Sequence, residues 1–92
     1  MNIKNLHEKN FSTLGKTVFY NLTKTESAGK NYFGIQIITQ AKDYLDEETI
    51  KDISPNENFV KKIINYLYEN AVDNTHFKDV TEDYILKIEG VW

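Results

Sequence analysis

The sequence predicts an α+β domain: a small antiparallel sheet of two or three strands, followed by two helices packed on one of its faces. Three observations predict it. Residues 16–24 and 32–39 alternate apolar and polar side chains around a short Gly-containing loop. The run Ser54-Pro55-Asn56-Glu57 has the form of a helix start. Two later stretches repeat apolar residues at helical spacing.

Residues 1–13 are polar, with isolated Ile3, Leu6 and Phe11, and are expected to form a weakly ordered arm ahead of a single domain over 14–92. In the first alternating run, Val18, Tyr20 and Leu22 share a face. Thr17, Phe19, Asn21 and Thr23 take the other. In the second, Phe33, Ile35 and Ile37 oppose Tyr32, Gly34, Gln36 and Ile38. Residues 26–30 between them read as a hairpin loop, giving a hairpin over 16–39. A weaker extended segment runs near 46–53. Such a segment or helical cover is needed, because an isolated hairpin is marginal in water.

Ser54 is the expected N-cap of the first helix, with Pro55 at its first position and Glu57 completing a capping box. The helix is expected over about 55–70, on a stripe of Val60, Ile63, Ile64, Leu67 and Ala71. Phe59, Tyr66 and Tyr68 widen that stripe, so the helix requires cover on two sides. A second helix over about 76–88 starts from Thr75. It gathers Phe77, Val80, Thr81, Tyr84, Ile85 and Ile88 on one face and Asp79, Glu82 and Asp83 on the other. Gly90 stands where the helix should stop, and Trp92 is expected to fold back on the core.

The chain has 92 residues, enough for one modest core without staples. It has no Cys, hence no disulfide, thiolate ligand or thiol nucleophile. All 11 basic residues are Lys. Asn, Ile, Lys and Tyr are abundant and have AT-rich codons, so codon bias is the simpler account of the absent Arg. The net charge of −3 divides unevenly: residues 1–42 carry +4 and residues 43–92 carry −7. MNIKNLHEKN holds no apolar run of signal-peptide length and no later stretch is long enough to span a membrane, so a cytoplasmic protein is expected and the sequons at Asn10 and Asn21 carry little weight.

Candidate chemistry is sparse. The four glycines are too scattered for a phosphate loop, and the three serines lack a nucleophile context. His76, Asp79 and Asp83 could offer one nitrogen and two carboxylates, but acids in a first helical turn are already accounted for by the helix dipole. Asp43, Asp46, Glu47 and Glu48 lack the Gly and spacing of a calcium loop and read as solvated. Lys16, Lys24, Lys30 and Lys42 could flank aromatics on the hairpin, yet Tyr20 and Phe33 belong to the core face, and base readout leans on Arg. Neither metal, cofactor nor direct nucleic-acid binding is expected, and no enzyme activity.

The sheet's reverse face gives the strongest signal. It combines Phe19, Tyr32 and Ile38 with Gln36, and two helices on the other face leave it uncovered. The expected function is a non-catalytic protein-interaction or regulatory module, binding a protein partner or itself as a homodimer. The alternative is an acidic inhibitor, of phage or chromosomal origin, that presents Asp79, Glu82 and Asp83 to a basic site on a nucleic-acid-handling protein.

Tyr32-Phe33-Gly34-Ile35-Gln36-Ile37, Leu67-Tyr68-Glu69-Asn70 and the run from Phe77 to Ile85 (FKDVTEDYI) resemble a family of small uncharacterised bacterial proteins, a domain of unknown function. The resemblance covers about residues 16–86. It implies a hairpin followed by helices and a bacterial cytoplasmic setting, and it supplies no catalytic residue, substrate or partner.

Overall fold

The computed structural model describes residues 2–13 and 15–89, with side chains over 9–13 and 15–87. The order is β1 (Asn2–Thr13), β2 (Lys16–Ser27), β3 (Lys30–Ala41), β4 (Leu45–Ser54), α1 (Glu57–Glu69) and α2 (Phe77–Glu89). The strands form one antiparallel meander in the order β1-β2-β3-β4. The fold is α+β as expected, but the sheet has four strands where two or three were expected.

The additional strand is β1, drawn from the segment expected as an arm. Its apolar residues escape a period-2 reading because the register shifts between His7 and Lys9. Leu6 pairs with Leu22 and Phe11 with Val18, although positions 6 and 11 differ in parity. Phe11 packs on the core and stacks on Tyr20, ring centroids 6.1 Å apart.

The β2–β3 connection is a two-residue turn closed by the pair Ser27 and Lys30. Ala28 and Gly29 both have positive φ, 51° and 76°, which makes it a type I′ turn matched to the twist of the strands. The β3–β4 pairing departs from regularity at Gly34. Phe33 pairs with Ser54 and Ile35 with Ile50, so residues 51–53 run opposite Gly34 alone, and Asp52 takes a φ of 54°. A Cβ on Gly34 would collide with the Ile50 carbonyl oxygen and lie 2.8 Å from Thr23 Oγ1. Gly is required here because the β4 backbone passes where a side chain would be.

The cap of α1 is Asn56 and not Ser54. Asn56 Oδ1 accepts from the Phe59 amide at 3.1 Å, the third helical position, while Ser54 Oγ accepts from the Asn56 amide at 3.0 Å. Pro55 therefore precedes the helix. Glu57 makes no capping box and pairs with Lys61 at 3.1 Å. At the other end, the Val72 amide donates to the Leu67 carbonyl and the Ala71 amide to that of Tyr68. This is a Schellman closure, with Ala71 in the left-handed position at φ 50°. Ala71, expected on the buried stripe, is exposed beyond the helix end.

Val60, Ile63, Ile64 and Leu67 are buried against Val18, Tyr20, Leu22, Phe33, Ile35 and Ile37. α1 touches all four strands, whereas α2 packs mainly against α1, through contacts that include the Tyr66–Tyr84 ring pair at 4.5 Å. Phe77 and Thr81 are buried. With Val72, the apolar side chains among these form the core, and the surface they enclose is the main source of stability, since burial is worth about 25 cal/mol per Å². Gly90 and Trp92 lie outside the described residues, as does the side chain of Ile88.

Candidate functional site

Register decides which residues share the reverse face. Phe19 pairs with Ile38 and Asn21 with Gln36 on β2 and β3, Ile38 pairs with Glu47 on β4, and Gln40 with Leu45. Residues directly opposite one another point to the same side. Phe19 and Ile38 are thus neighbours on the two central strands. Leu45, 60% exposed, stands diagonally beside them, and Tyr44 of the adjoining turn is 50% exposed. Phe19 and Ile38 are half-buried. The structure gathers an apolar patch at one end of this face, next to the β3–β4 turn.

Of the other two residues expected on this face, Gln36 borders the patch and Tyr32 lies apart from it. Gln36 is buried and committed within the sheet. Its carbonyl oxygen accepts from Asn21 Nδ2 at 3.0 Å, and its amide donates to Glu47 Oε1 at 3.0 Å. This ladder crosses three strands and satisfies groups that burial would otherwise penalise. Tyr32 is half-buried and sits six residues from Ile38 along β3, about 20 Å away. Leu45 and Tyr44 were missed from sequence because residues 43–48 read as a solvated acidic run. No apolar alternation marks them: each face of 45–50 carries one aliphatic residue among polar ones.

The alternative set, Asp79, Glu82 and Asp83, is exposed along α2, away from buried Phe77 and Thr81. Among the described residues no three His, Asp or Glu side chains converge as metal ligands. Tyr20 and Phe33 are both buried on the helix side and form no stacking platform. A surface hollow of about 500 Å³ beside the β1–β2 turn is lined by Ser12, Thr13, Lys16, Thr17, Gln40 and Lys42. No carboxylate or imidazole among the described residues lines it to activate a hydroxyl.

One titratable group is strongly displaced. The Tyr20 hydroxyl is pushed well above its ordinary range near 10, first by burial and then by the nearby charge of Asp73. It donates to the Val72 carbonyl oxygen, so its role is structural. Lys16 and Asp73, 3.6 Å apart, and a hydrogen bond from Thr39 to Asn74 hold the same interhelix loop against the sheet.

The model of a family of unknown function, DUF6514, matches residues 3–87. The chain belongs to this family. The DUF6514 match begins within β1 and ends within α2, so it takes in nearly all of the meander and of both helices. No curated protein and no solved structure matches the chain. No described helix is long and apolar enough to cross a membrane.

Proposed function

We propose that this DUF6514 chain is a non-catalytic protein-interaction module of the cytoplasm whose contact surface is the patch of Phe19, Ile38, Leu45 and Tyr44. The observation that carries this reading is the register pairing of Phe19 with Ile38 on the sheet face opposite the helix-packed core, beside strongly exposed Leu45. Apolar side chains so placed gain most by meeting a second apolar surface.

A second copy of this chain is the preferred occupant. A two-fold axis along the strands, between β2 and β3, lays the Phe19–Ile38 pair onto its own copy. It also sets the acidic β4 of one protomer over the β1 of the other, so that acid does not face acid. The test is molar mass by light scattering with affinity capture, on the native chain and on Phe19→Asp and Ile38→Asp. A dimer converted to monomer supports the reading. A strict monomer whose captured partners are unchanged by both substitutions overturns it.

A second reading, an acidic regulator of a basic protein, is favoured by one observation: Asp79, Glu82 and Asp83 are all exposed on one side of α2. It requires salt-sensitive binding that is lost on charge reversal at Asp79 and Asp83.

A further inference from the structure

The β4 strand is the end of the sheet. It pairs with β3 from Leu45 to Ile50, and no described strand lies on its other side. That outer edge presents unpaired backbone donors and acceptors over about six residues, roughly 20 Å. The regular stretch stops where residues 51–53 bulge around Gly34. Natural edges are blunted by charged side chains, by bulges and by Pro. On residues 43–50, DYLDEETI, the charge is all acidic, which opposes pairing with a second acidic edge and favours a basic strand.

Its chemistry is one-sided. Asp43, Asp46, Glu47 and Glu48 are carried there with no basic residue among them. Among the described residues no lysine forms an ion pair with Asp46 or Glu48, whereas Lys16 and Lys61 are paired elsewhere. Glu47 is tethered through one oxygen by Gln36. On the helix side of the strand stand Asp46 and Glu48; on the reverse face stand Leu45, Glu47 and Thr49.

We infer that β4 is a docking strand for an extended lysine- or arginine-bearing segment of a partner protein, which adds to the sheet as a fifth strand. Main-chain pairing supplies the attachment and alternate side chains the selectivity. Basic residues two apart in the incoming strand meet Asp46 and Glu48 on one side. On the other, aliphatic residues lie against Leu45 and Thr49, with Glu47 already held by Gln36. The inference rests on the interaction reading but uses the backbone edge of β4, which shares Leu45 with the reverse-face patch and leaves Phe19 and Ile38 out.

The probe is an acetylated octapeptide alternating lysine and valine, titrated into the full chain with amide NMR and hydrogen exchange as readouts. Shifts and slowed exchange concentrated at residues 45–50 are expected. Binding should fall at least about tenfold for Asp46→Lys with Glu48→Lys. It should fall similarly for the same peptide methylated at alternate backbone nitrogens, which keeps its charge but cannot pair. Phe19→Asp should retain binding, so that the two surfaces fail separately. Equal affinity for the methylated peptide, shifts confined to residues outside β4, absence of binding at millimolar peptide, or equal loss in Phe19→Asp would each overturn strand addition.

Discussion

The Tyr20 hydroxyl donates to the Val72 carbonyl oxygen at 2.5 Å, joining the middle of β2 to the interhelix loop across 52 residues. Tyr20 is fully buried, stacked on Phe11 and edge-on to Tyr68 at 6.3 Å. One side chain therefore links β1, β2, α1 and the loop that positions α2.

Removing the hydroxyl leaves the Val72 carbonyl without its side-chain donor while the ring packing survives. Tyr20→Phe should cost about 1–3 kcal/mol, the range for a buried group left unsatisfied, measured as a shift in urea midpoint at unchanged slope. A change below about 0.3 kcal/mol would contradict the role given to this bond.

The same hydroxyl makes stability depend on alkaline pH. Its folded-state pKa lies above the unfolded value near 10, so the folded chain holds the proton more tightly. The contribution is fully present below pH 10 and is lost as pH rises beyond it. Denaturant titrations between pH 8 and 11 should show the native chain losing stability more steeply than Tyr20→Phe. Parallel profiles would show that Tyr20 does not carry the effect.

Gly34 is fixed by proximity, since a methyl there would meet the Ile50 carbonyl oxygen, Thr23 Oγ1 and Lys51 Cα. Gly34→Ala should destabilise by about 1–3 kcal/mol through overpacking, and hydrogen exchange should rise first in β4. Unaltered exchange in β4 would contradict the close approach.

Two alanines occupy positive-φ positions, Ala28 in the hairpin turn and Ala71 at the helix end. Neither site favours a Cβ. Ala28→Gly and Ala71→Gly should each stabilise by about 0.5–1 kcal/mol. Ala28 and Ala71 lie on separate elements, so their effects on melting temperature should add. A loss of stability in either would contradict the turn or cap that contains it.

Much of the fold was legible because burial imposes period on sequence. Val18, Tyr20 and Leu22, then Ile35 and Ile37, alternate into the core as their parity requires. Val60, Ile63, Ile64 and Leu67 form the buried face of α1. What escaped has local causes. The shift after His7 breaks the parity of β1, so its apolar residues look isolated. Ser54 and Asn56 are both good caps two residues apart, and backbone geometry selects the second. Ala71 fills a position where Gly is usual, so the helix end carried no marker. At the candidate site, Phe19 and Ile38 were placed on one face by alternation alone. Their direct pairing, the separation of Tyr32, the engagement of Gln36 and the approach of Leu45 all depend on register.

The central claim is that the Phe19–Ile38–Leu45 end of the sheet is a contact surface between copies. Its most direct test is light-scattering molar mass of native chain and Ile38→Asp across a concentration series, with circular dichroism to verify folding. The account predicts that the native chain rises from its 10.8 kDa monomer mass toward twice that value while folded Ile38→Asp stays at one chain. A native chain that stays monomeric throughout, or an Ile38→Asp variant that dimerises equally well, would contradict it.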